Sequence, residues 1–136
     1  MSYAAVHSAI RERFRVEWGS TTAVQMPKVA FVPPDNVPWV RLVIDDAASN
    51  WASFGDPGNN TERNFGQVTT QIFALTGDGE GEALELADQA KAVFRAWRDV
   101  ASGVRFLVPP YARQIGDDGK WYQINVVAPF QFDDHT

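Results

Sequence analysis

The chain has 136 residues, of which 45% are hydrophobic, 12% aromatic and 21% charged, with a formal net charge of -5. That is enough apolar material for a buried core and lies well away from disordered composition. The absence of cysteine excludes disulfides, thiolate metal sites and cysteine nucleophiles together, and an acidic chain without a Lys/Arg run is a poor general binder of nucleic acid.

The length suits one domain spanning residues 1–136. Charges arrive at Arg11 to Arg15 before any apolar stretch of signal-peptide kind is built. No apolar run approaches the roughly 20 residues of a membrane span. Synthesis and assembly in the cytoplasm are therefore expected.

In chain order, Val6, Ile10, Phe14 and Trp18 recur every four residues among charged neighbours. This predicts an amphipathic helix, with Ser2 as N-cap and Gly19 as its stop. Prolines 27, 33, 34 and 38 punctuate the next stretch, and Lys28 to Val32 reads as a short edge strand. Trp39 to Asp45 alternates with period two and predicts a strand, Val40, Leu42 and Ile44 on one face and Trp39, Arg41, Val43 and Asp45 on the other.

Ala47 to Asn64 is rich in Gly, Asn, Ser and Asp and reads as a long loop. Trp51 and Phe54 inside it either pack back on their own domain or anchor a partner. Phe65 to Thr76 reads as the partner strand. Glu82 to Ala101 follows the i, i+3, i+4, i+7 template and predicts a long helix ended by Gly103. Two or three strands follow, at Val104–Val108, Tyr111–Ile115 and Trp121–Ala128, with a turn at Asp117-Asp118-Gly119 and a frayed tail from Asp133. The order predicts an α+β fold: a mixed, mostly antiparallel sheet of about five strands with two amphipathic helices on one face. The other face keeps Trp39, Val43, Phe73, Leu75 and Trp121, as a second buried layer or a contact surface.

Chemical motifs are sparse. Gly77 to Gly81 precedes a helix, but it carries acids and no Lys to meet a phosphate. The pairs Asp45-Asp46, Asp117-Asp118 and Asp133-Asp134 lack metal-loop spacing and suit turns and strand ends. His7 and His135 stand without a catalytic motif. Arg41, Arg63, Arg105 and Arg113 decorate strands, either as solvated faces or as inter-subunit partners. No catalytic residue, metal or cofactor is expected.

Several segments in order resemble the tail terminator family of long-tailed bacteriophages and prophages. They are the opening Ser2 to Ile10 helix, Val29-Ala30-Phe31-Val32-Pro33-Pro34, Trp39-Val40-Arg41-Leu42 and Arg63-Asn64-Phe65-Gly66-Gln67-Val68. Gly79-Glu80-Gly81-Glu82-Ala83, leading into the Ala-rich helix with Phe94, and Asp118-Gly119-Lys120-Trp121-Tyr122 complete the set. The resemblance implies a virion structural protein. It would form a ring, usually a hexamer, that caps the tail tube at its head-proximal end, stops polymerisation and offers a surface to head-tail connector proteins, with DNA only passing through the channel. The expected tube-binding residues are Trp51, Phe54, Asp56, Asn59, Asn60 and Arg63, and the expected subunit-interface residues Trp39, Arg41, Phe73 and Trp121. The competing readings are another neck or head-completion protein and, from a different class, a small-molecule-binding or enzymatic α+β domain, which a convergent polar cluster in a deep pocket would favour.

Overall fold

The computed structural model describes residues 3–78 and 80–135. Ser2 as N-cap and Gly79 in the glycine-rich break lie outside the described residues. Helix α1 (Tyr3–Trp18) buries Val6, Ile10, Phe14 and Trp18, the stripe that the four-residue spacing predicts. Gly19 ends it at φ 57°, donating to the Arg15 carbonyl.

Five strands form one sheet in the order β1-β2-β3-β5-β4: β1 (Ala23–Gln25), β2 (Trp39–Trp51), β3 (Thr61–Leu75), β4 (Tyr111–Asp117) and β5 (Trp121–His135). Only β1 is parallel to its neighbour. Helix α2 (Gly81–Phe94) joins β3 to the second half. Alternate residues of the central strands, among them Val40, Leu42, Val68, Ile72, Ile124 and Val126, meet the buried faces of both helices in one hydrophobic core. This is the expected α+β architecture with both helices over one sheet face.

Five expectations change. The short strand before β2 is Ala23–Gln25, not Lys28–Val32. Lys28 sits at φ 60° in a turn closed by Val29 N–H on the Met26 carbonyl, which ends the pairing with β2. Half of the stretch 47–64 is strand. Ser49, Asn50 and Trp51 pair with Asn64, Arg63 and Glu62, so only residues 52–60 turn. Polar, small residues there match a ribbon solvated on both faces rather than a loop.

The second helix stops at Phe94 rather than Ala101. Arg95 is extended and Ala96 adopts φ 53°. The chain then reverses through Asp99 N–H on Val104 O and Phe106 N–H on Trp97 O. Phe106 thereby stacks on Phe94 at 5.0 Å, a tertiary contact that outweighs continued helix. Val100, placed on the helical stripe by period alone, is 85% exposed. Val104–Val108 is not a strand: Arg105 makes isolated bridges to Arg98 and Gln131.

The last strand runs through Pro129 to His135, so Asp133–His135 is paired with β3 and is no frayed tail. Gln131 exchanges both backbone bonds with Arg105, so its N–H points away from β3. Pro129, two residues back, has the same orientation. Its missing donor therefore falls outside the β3 ladder, where proline is tolerated.

Phe94→Ala should cost about 3–5 kcal/mol. Trp97→Ala, half-buried beyond the helix, should cost less, about 1–3 kcal/mol. Urea midpoints of the two variants check the order. Gly66 is a second sensitive position: an added Cβ would lie 2.5 Å from Phe130 Cζ and 2.6 Å from the Asp45 carbonyl oxygen. Gly66→Ala should lower the thermal midpoint and disturb the adjacent β2 register shift between Asp46 and Ala48, seen as amide shifts confined to β2 and β3.

Candidate functional site

Among the described residues no group of three or more His, Asp or Glu converges on a metal position. His7 lies against Tyr3, ring centroids 4.3 Å apart, and burial lowers its pKa. His135 is beside Thr61 on the ribbon. A cavity of about 340 Å³ is lined by Tyr3, Asp46, Ser49, Asn64, Phe65 and Phe132 along with two alanines. It is a cleft between helix and ribbon, in which the Asp46 carboxylate accepts from the Tyr3 hydroxyl and raises its pKa. No helix among the described residues is long and apolar enough to cross a membrane.

The distinctive feature is the ribbon formed by the end of β2, the start of β3 and the end of β5. It brings Trp51, Phe54, Asp56, Asn59, Asn60 and Arg63 to one end of the molecule. Trp51 closes β2 at 58% exposure, and Phe54, in the apex, is 84% exposed. Neither therefore packs back on its own subunit. The apex is held by its own bonds. Asp56 N–H donates to Asn60 Oδ1 at 3.0 Å, Asn59 N–H to Asp56 O at 2.9 Å and Thr61 N–H to Ser53 Oγ at 2.7 Å. Asn60 thus positions the turn, and glycines 55 and 58 supply its positive φ angles of 98° and 92°.

Arg63 lies in β3 and not in a loop. Its guanidinium grips Asp133 bidentately at 2.9 and 3.2 Å, and Arg105 reaches the same carboxylate at 3.2 Å. Asp133 is the ribbon residue that the sequence reading missed. Its signal was the alternation of Phe130 and Phe132 with Gln131 and Asp133, which continues period two past the proline.

The four expected interface residues do come together, on the sheet face away from the helices. Trp39 stacks on Phe73 at 4.3 Å and on Phe31 at 5.3 Å, and meets Trp121 edge-on at 6.4 Å. Trp39 is only 4% exposed and is already covered within its own subunit. Arg41 is likewise engaged at home. It donates to Gln25 Oε1 at 2.9 Å and Gln71 Oε1 at 3.1 Å, with its charge over the Trp39 and Phe73 rings. Phe73 and Trp121 remain half-buried at the margin.

Hydrogen bonds from Arg63 hold the Asp133 carboxyl below its usual pKa, with Arg105 adding to the effect. A depressed carboxylate contributes stability that is present above the unfolded-state pKa and lost as pH falls through the folded one. Below the usual carboxylate range the ribbon should therefore loosen first. Protection factors of amides 62–65 and 131–134 should drop selectively in acid, and Asp133→Asn should show the same drop at neutral pH. Apart from the hydrogen-bonded amides of Ala52, Ser53, Asp56 and Asn59, residues 52–60 should exchange fast in the undocked chain at either pH.

Comparison with known proteins adds identity to this geometry. One solved structure superposes with a TM-score of 0.70 and 19% identity, covering 100% of this chain and 99% of the other. At that identity it shows the fold. No curated protein matches the chain. The family model described as "Phage tail terminator protein" matches residues 5–130. Matched over nearly its whole length, the chain belongs to the phage tail terminator protein family, a family of structural proteins of the bacteriophage tail.

Proposed function

We propose that this protein works as one domain and forms a ring, most simply a hexamer, that caps the head-proximal end of the tail tube. There it stops polymerisation and presents a surface to the head-tail connector proteins. It acts without catalysis or a cofactor, is assembled in the host cytoplasm, and touches DNA only as the strand passes through the channel. The observation that carries this reading is the pair of exposed aromatics, Trp51 and Phe54, at the end of the ribbon. Family membership supplies the tail; the ribbon supplies a means of docking to it.

A tube end exposes the surface that the next ring would occupy. A terminator must match that surface and offer no equivalent on its far side. Large aromatics are effective anchors because they bury much area for little side-chain entropy. Asp56, Asn59 and Asn60 form a polar rim around them, with Arg63 stiffening the ribbon behind. Because most of the ribbon is hydrogen-bonded before docking, the ordering cost is confined to the apex. Several copies in a ring multiply a modest single contact. Phe73 and Trp121 extend toward neighbouring subunits, backed by buried Trp39 and by Arg41.

Purified protein mixed with polymerising tube subunits should arrest growth and shorten the tubes. A Trp51→Ala/Phe54→Ala variant should fold with stability within about 0.5 kcal/mol of wild type, since both side chains are exposed, yet arrest growth poorly. Wild-type protein that neither binds tube ends nor changes tube length would exclude the terminator role and favour another neck position.

A further inference from the structure

We infer that the two free edges of the sheet are partners for each other in successive copies of this chain. The outer edge of β4 adds antiparallel to the outer edge of β2 in the next subunit, with Arg113 opposite Asp45. This rests on the ring reading above and assigns the backbone contact that would close it.

Both edges are open where the pairing falls, at Ala112 to Gln114 on β4 and at Ile44 to Asp46 on β2, short of the Gln25–Arg41 pair. Strand β4 is exposed along its whole length. On the far side, β1 covers β2 only at Trp39, Val40 and Arg41. Beyond that no strand pairs with this edge, and Met26 to Lys28 stand off it across a cavity of about 230 Å³ lined also by Leu42 to Asp45. A row of open backbone donors and acceptors is a template for another strand.

The backbone groups of the two edges are in phase. Odd-numbered residues of β5 turn their N–H and C=O away from β3, as Gln131 does toward Arg105. Carried across the ladders, this alternation leaves Ala112 and Gln114 facing outward on β4, and Ile44 and Asp46 facing outward on β2. Placing Arg113 opposite Asp45 sets Ala112 against Asp46 and Gln114 against Ile44. All four outward-facing residues then form hydrogen-bonded pairs.

The side chains agree with the same register. Arg113 lies opposite Asn125 and Asp45 opposite Gln67, so both point to the face away from the helices. They are exposed, opposite in sign, and neither makes an ion pair among the described residues. They would meet at a non-hydrogen-bonded position, where cross-strand side chains come closest. Pairing β4 with β4 of a second copy in the register that uses both Ala112 and Gln114 would instead oppose Arg113 to Arg113.

Strand direction and stagger also fit closure. Each of the links β2 to β3, β3 to β5 and β5 to β4 is antiparallel, so β4 and β2 run in opposite senses. Rotation about an axis along the strands brings these edges together antiparallel and head to tail. Arg113 shares a row with Arg41, and the next copy's Asp45 lies four residues further along. Four rises of about 3.3 Å across four strand spacings of about 4.8 Å tilt the strands by roughly 35°. A closed sheet requires a stagger of this kind.

The cysteine-free chain allows a direct test. In one subunit positions 45 and 113 sit on strands at opposite sides of the sheet, too far apart for a disulfide. The Asp45→Cys/Arg113→Cys variant, oxidised at high concentration and again on tube ends, should give a ladder of covalent oligomers ending in a closed species. Each single variant should give nothing beyond dimer. Arg113→Asp should raise the concentration for half-assembly roughly tenfold, and Arg113→Asp/Asp45→Arg should restore it. A double-cysteine variant that behaves like the singles both free and on tubes overturns the pairing. Tube arrest without the ladder refutes the pairing alone; a ladder with unchanged tube length upholds the pairing and refutes the terminator reading.

Discussion

The antiparallel ladder between β3 and β5 runs without a register break from Thr61 opposite His135 to Leu75 opposite Trp121, and the other elements take their positions from it. Backbone pairing of this length joins two segments about 60 residues apart in the chain, so its loop-closure cost is met once and shared by everything that packs on it. One half of the ladder lies under the helices and forms the floor of the core. The other half continues into solvent and becomes the ribbon. Gly66 stands near the changeover, where the Phe130 ring and the Asp45 carbonyl leave no room for a side chain.

The two faces of the ladder do different work. Toward the helices, Phe14, Phe94, Phe106 and Phe130 form a chain of ring contacts that locks α1, α2 and the 95–110 segment onto the sheet. Away from them, a smaller aromatic group around Trp39 is tied to a polar row, Gln25, Arg41 and Gln71, held by two guanidinium hydrogen bonds. Most of that face is satisfied within the subunit, which makes it a rigid platform. The ribbon is stiff for the same reason: three strands and the Arg63–Asp133–Arg105 cluster hold it. Pre-organised elements dock with less entropy loss than loops, which suits a protein whose proposed work is to match a fixed surface.

Legibility from sequence followed burial. The α1 stripe, the cores of β2, β3 and β5, and the start of α2 were plain because one face of each is buried and the other is wet, so hydrophobic period reports geometry. The β2 and β3 parts of the ribbon were opaque because their side chains are mostly polar and none is buried. Ser49, Asn50, Glu62 and Asn64 carry no alternation to read, and strand geometry there is imposed by the ladder alone. Of the expected site residues, Trp51 and Phe54 are exposed, whereas Trp39, Arg41 and Arg63 make contacts within their own chain. Residue type indicated that they matter; it did not indicate to whom they are joined.

The amino-acid sequence by itself determined the class of the fold and the amphipathic elements, because these depend on local period and on which side chains are present. It also carried the family, through short segments in a fixed order. Tertiary structure alone decided where α2 stops, since stacking of Phe106 on Phe94 outweighed a helical pattern that extended to Ala101. It alone decided that Asp133 reaches Arg63 across a separation of 70 residues. It alone decided which strand edges stay open. Those outcomes rest on contacts between segments distant in sequence, and no local pattern of residues encodes which distant partner will arrive.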